Sequence, residues 1–174
     1  IILEYINYWE SYWSIGPVFG DDIRNNHTTF TSLGFYFASD YFGRNYRLPQ
    51  AEKWRKIAEG CFGAQAKSFK PQEDSNSYQW ITLSHMIRYA LASGDQSYLT
   101  NGNARIGADL AIMTMDNLGY QVSFGDVGGF HGGNVEMYLW RPLAAVEQNG
   151  RYAWAYNKGE LVRPSAHFYA NSVK

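Results

Sequence analysis

The 174-residue chain has one cysteine, Cys61, which excludes an internal disulfide framework and every CxxC metal or redox site and leaves the redox compartment open. It has no surplus of cations either: 15 Lys and Arg stand against 16 Asp and Glu, a formal net charge of -1. A nucleic-acid coat or a polybasic membrane patch needs such a surplus, so neither nucleic acid nor membrane is expected as a partner. No apolar run reaches the roughly 18 residues of a membrane span, and the basic-then-apolar start of a signal peptide is missing. The chain opens with Ile1 rather than Met, which reads as a processed or truncated product. HExxH, Walker and Rossmann patterns are absent, and the glycine-rich stretch 125–133 lacks the Lys-Ser/Thr pair of a phosphate loop. No metal and no cofactor is expected.

What is present is apolar and aromatic. Hydrophobic residues make up 45% of the chain and charged residues 18%, enough for a packed core and too little charge for a disordered tail. The length fits a single domain over residues 1–174. Trp, Tyr and Phe together form 17% of the sequence. Their rings offer flat amphipathic surfaces to ligands such as sugars, although any single ring more often packs helices together.

Periodicity and punctuation predict an all-α chain. Residues 1–14 carry large apolar groups all round and stop at Gly16-Pro17, predicting a buried first helix. Phe30, Leu33, Phe37 and Tyr41 share one face of a second helix over Thr28 to Phe42, closed by Gly43. Pro49 opens a third, which carries Trp54, Ile57, Ala58, Cys61 and Phe62 and runs to about Phe69. A fourth leads from the polar segment Pro71 to Ser77 up to a stop at Gly94-Asp95, and a fifth spans Tyr98 to Met115. The sixth covers Val135 to Val146, where Pro142 predicts a kink or a restart; beyond Arg151 the pattern weakens, and 167–169 reads as strand or helix. Short links make neighbouring helices antiparallel, so the second, fourth and sixth are expected to open at the same end.

The segments leading into those three ends hold most of the residues with chemical potential: Asp21 to His27, Gln72 to Tyr78, and Gly125 to Gly133. Helix N-termini carry free N–H groups and partial positive charge, which favour a carboxylate between them. Asn26 can donate an amide to that carboxylate, His27 can act as base or acid, and Tyr78 can shuttle a proton if a cation such as Arg24 lowers its ordinary value. Those parts suit β-elimination on a uronic acid. Its carboxylate is neutralised, the C5 proton is removed, and the O4 leaving group is protonated.

Asn25-Asn26-His27 opening one helix, followed by Tyr78 in the polar start of another, resembles the α/α-toroid polysaccharide lyases, including alginate lyases and the heparinase II/III-like group. Ser123-Phe124-Gly125-Asp126 is similar to a Gly-Asp loop of heparinase-like toroids. The resemblance covers roughly residues 20–135 and implies antiparallel helical hairpins forming part or all of an α/α-toroid. It also implies Asn26 as carboxylate neutraliser, His27 as base or orienting group, and Tyr78 as proton shuttle. Six expected helices are about half of a full toroid, which implies either a piece of one, associating with further chain segments that complete the ring, or a shortened relative. No Arg stands just upstream of Tyr78, where some alginate lyases carry one.

The resulting expectation is a polysaccharide lyase acting on an acidic polyuronate of the alginate or glucuronan type. Catalysis is expected from His27 and Tyr78, with Asn26, Arg24, Asn76, Trp80, Phe130 and His131 binding substrate and the rings of Trp80 and Phe130 stacking on sugars. A heavily sulfated glycan would call for more clustered cations. Secretion or periplasmic residence follows only from where such polymers occur. Several alternatives stand beside this reading. Asn25 or Asn26 is an ordinary helix cap, Asn26-His27-Thr28 is a glycosylation sequon, and Ser75 and Ser77 are caps. His85 is a satisfied core or surface imidazole. Glu73 or Asp74 with Asp126 would serve a glycoside hydrolase of the same architecture, and a non-catalytic carbohydrate-binding module would need none of them.

Overall fold

The computed structural model describes residues 2–13, 26–72, 75–117, 119, 122, 124–125 and 137–161. Among them are eight helices and no strand: α1 Ile2–Trp13, α2 Asn26–Tyr46, α3 Gln50–Gln65, α4 Asn76–Ser93, α5 Ser97–Thr100, α6 Asn103–Met113, α7 Met137–Glu147 and α8 Gly150–Leu161. The all-α expectation holds.

α2 is the longest helix, with 21 residues, and extends past both expected ends. Gly43 does not close it. A Cβ there would lie 3.3 Å from the Ala51 Cβ of α3, so the glycine serves close helix approach. The turn comes at Arg47, with φ 50, and Pro49 caps α3. α3 then returns antiparallel: Phe42 meets Trp54 with centroids 6.1 Å apart, and the Arg55 guanidinium lies 5.4 Å from the Tyr36 ring centre, beside Asp40.

The face of α2 turned to the core is not the expected one. Thr28, Thr29, Ser32, Leu33, Phe35, Tyr36, Ala38 and Ser39 are buried, whereas Phe30, Phe37 and Tyr41 are at least half exposed. Small and hydroxylated side chains on the inner face let neighbouring backbones approach, and the aromatic stripe is left outside. α4 packs against that inner face. Thr29 Oγ1 lies 3.0 Å from His85 Nδ1, and Tyr36 donates its hydroxyl to the Ala92 carbonyl at 3.0 Å. Both pairs are separated by 56 residues, so α2 and α4 run in the same direction. Tyr89 completes the joint, edge-on to Tyr36 and stacked on Phe62 of α3 at 4.1 Å.

α4 begins and ends as its sequence reads. Ser75 caps it by accepting the Tyr78 N–H, and Gly94 ends it with φ 80 in the left-handed region that glycine adopts without strain. The expected fifth helix is broken in two at Gly102, whose φ is 90. The break is held by Asn101 and Asn103, which both donate side-chain amides to the Ala66 carbonyl, at 2.8 and 2.9 Å. α7 continues through Pro142 without restarting, and α8, which periodicity missed, pairs with it by stacking Tyr152 on Trp140. The largest fully enclosed side chains are Trp54, Trp80, Trp140, Tyr98 and Tyr152.

α1 corrects the expectation of a buried first helix. No side chain described between Ile2 and Ser11 is buried, and Ile2, Tyr5 and Tyr8 are largely exposed. Its hold on the body is polar as well as apolar: Glu10 accepts hydrogen bonds from Lys53 and, at 2.6 Å, from the indole N–H of Trp54. Burial pushes the Glu10 carboxyl up, but those two hydrogen bonds and the charge of Lys53 together outweigh it and hold the group below its ordinary value.

Candidate functional site

The first turn of α2 lies against α1, and between them opens a cleft of about 310 Å³. Tyr5, Ile6 and Trp9 line it from α1; His27, Phe30, Thr31, Gly34 and Phe35 line it from α2. The α2 residues recur at spacings of three and four, one side of a helix, and Gly34 leaves room between the rings. The imidazole of His27 is exposed, and with the Thr31 and Tyr5 hydroxyls it supplies polar chemistry in a largely apolar lining.

Asn26, the first residue of α2, is buried, and its Oδ1 accepts the His27 N–H at 2.8 Å. Asn26 is not among the cleft residues. Tyr78 stands in the first turn of α4, half-buried, its backbone N–H held by Ser75. The constant offset between the parallel helices sets Tyr78 about five residues, or about 7 Å, further toward their common opening end than His27. His27 belongs to the α1 side of α2, nearly opposite Thr29, which faces α4. The fold therefore brings the two first turns to one end of the molecule without bringing the two side chains into one lining.

No family model, curated protein or solved structure matches the chain.

The remaining expected residues divide into three groups. Trp80 is corrected: it is 0% exposed, enclosed in the core, and offers no ring face to a ligand. Its place in an apolar helix face made it a core residue once α4 was covered by its neighbours. Arg24, Phe130 and His131 lie outside the described residues, as do Glu73, Asp74 and Asp126, and Asn76 is described by its backbone alone. His85 is a satisfied core imidazole, one of the two alternatives the sequence allowed. It is 5% exposed and hydrogen-bonded to Thr29, and its ring lies 5.7 Å from that of Phe30. Burial, and to a smaller extent the charge of Arg88, pulls it down from 6.5 to about 4, so it is neutral at physiological pH.

Sequence reasoning missed Tyr5 and Trp9. The available signal was their four-residue spacing, which places both rings on one side of a helix; the apolar surroundings hid it. Among the described residues, no group of three or more His, Cys, Asp or Glu is placed to hold a metal ion, and no helix is long and apolar enough to cross a membrane.

Proposed function

We propose that this chain acts on an acidic polysaccharide of the polyuronate type by β-elimination, within a helical-hairpin array of the α/α-toroid kind. The observation that carries the reading is the placement of His27 and Tyr78 in the first turns of two parallel helices that open at one end, with His27 in an aromatic cleft. Parallel α2 and α4 with α3 antiparallel to α2 is the repeat that such an array requires. A sugar ring stacks on Phe30, Tyr5 or Trp9, and the N-terminal end of α2, with its partial positive charge, meets its carboxylate. His27 takes the C5 proton. The C4–C5 double bond forms as the C4–O4 bond breaks, and Tyr78, approaching from the side of α4, gives its proton to O4.

A second reading, a non-catalytic sugar-binding module, is favoured by the largely apolar cleft and by the separation of His27 from Tyr78. Incubation with alginate and with polyglucuronate separates the two. New ultraviolet absorbance from the C4–C5 double bond together with new reducing ends supports the lyase; reducing ends alone mean hydrolysis; binding without either means a module. For the lyase, His27→Gln and Tyr78→Phe should each lower kcat by about a hundredfold or more while largely sparing binding. Unchanged turnover in either variant removes that residue from the mechanism.

A further inference from the structure

The first turn of α2 is held from behind by a buried side chain to which the mechanism gives no role. Thr29 Oγ1 lies 3.2 Å from the Asn26 carbonyl and 3.0 Å from His85 Nδ1. A hydroxyl has one proton. If Thr29 gives it to the carbonyl of its own helix, as threonines in helices do, the imidazole must supply the proton of the second bond. We infer that His85 is a positioning residue for the site: it carries its proton on Nδ1, donates it to Thr29 Oγ1, and so clamps to α4 the helical turn bearing Asn26 and His27.

The same ring also touches Phe30, which lines the cleft on the other side of that turn. One side chain of α4 therefore reaches both the backbone-bonded hydroxyl and an aromatic wall of the cleft. Charge plays no part in the clamp, because a neutral ring with hydrogen on Nδ1 makes both contacts. Burial at 5% exposure keeps water from competing for the bond. For catalysis the clamp rests on the polyuronate reading; for the order of the turn it does not.

Two measurements on the free protein test the clamp. Nitrogen-15 spectra of the histidine rings should assign the hydrogen of His85 to Nδ1; a ring protonated on Nε2 overturns the inference. Amide exchange over residues 27–31 should stay within about threefold of wild type in His85→Asn, whose side-chain amide takes the place of Nδ1–H. It should quicken about tenfold in His85→Leu, which keeps apolar bulk and loses the donor. A leucine that protects the turn as well as or better than asparagine means packing alone and overturns the clamp. Thr29→Val, which keeps shape and loses the hydroxyl, should loosen the same amides about tenfold and supplies the test should the His85 variants not fold; unchanged exchange there also overturns it. Failure of wild-type protein to bind or cleave an unsulfated oligomannuronate or oligoglucuronate would sink the polyuronate reading and leave the clamp standing. In an active enzyme, kcat should follow the same order, with His85→Asn near wild type and His85→Leu about tenfold lower at little change in KM.

Discussion

Lowering the pH from about 7 to about 4 charges His85 in the unfolded chain well before it charges the folded one. Burial, with Arg88 as the smaller contribution, holds the folded-state imidazole at about 4 against 6.5 in its ordinary environment. Among the described residues, α2 presents Thr29 and Phe30 to the ring, neither of them ionisable, so no carboxylate on that helix offsets the burial. Between the two values the unfolded chain binds more protons, and stability therefore declines as the pH falls through that window. The displacement corresponds to about 3 kcal/mol, nearly absent at about pH 7 and complete below about pH 4. Urea unfolding followed by far-ultraviolet circular dichroism would measure it in wild type and His85→Asn at about pH 7 and about pH 4.5. Carboxylates such as Glu10 titrate in both proteins and cancel in the comparison. Wild type should lose about 2 to 3 kcal/mol more than His85→Asn over this range; equal losses would refute the assignment of a neutral, buried ring.

Gly107→Ala should cost about 1 to 3 kcal/mol in the same assay, because a Cβ there would overlap the buried Leu83 side chain and lie 3.1 Å from the Phe69 carbonyl; an unchanged midpoint would mean that α6 shifts freely over α4. Glu10→Ala should lower stability by about 1 to 3 kcal/mol by stranding the indole N–H of Trp54, which is 0% exposed, and Glu10→Gln should lose less because it keeps an acceptor. The opposite order would make the charge on Glu10, not its acceptor oxygen, the tie between α1 and α3. Phe30→Ala should leave stability nearly unchanged, since the ring is 69% exposed, yet weaken oligouronate binding by about 0.5 to 1.5 kcal/mol in calorimetry. Unaltered affinity would place the sugar elsewhere.

Local chemistry made much of the helical layout readable. Ser75 and Gly94 bound α4 because a hydroxyl at one end and a left-handed residue at the other answer backbone groups that lie in the same few residues. Where the deciding contact came from another helix, the reading slipped. Gly43 looks like a stop, but it is a seat for Ala51; the break at Gly102 depends on Asn101 and Asn103 reaching Ala66, more than 30 residues away. α8 escaped because only Tyr152 and Ala155 of its described residues are buried, too few for a periodic signal.

The site divides along the same line. From composition, capping and spacing alone follow the helical class, the common opening end of α2 and α4, and the presence of His27 and Tyr78 in their first turns, since all depend on residues a few positions apart and on short links. Only packing decides which rings are walls and which are core. Trp80 and Phe30 have the same aromatic character, yet one is enclosed in the core and the other lies on the open side of α2. That assignment depends on which faces the neighbouring helices cover. The covering side chains come from segments distant along the chain, so no local pattern encodes it.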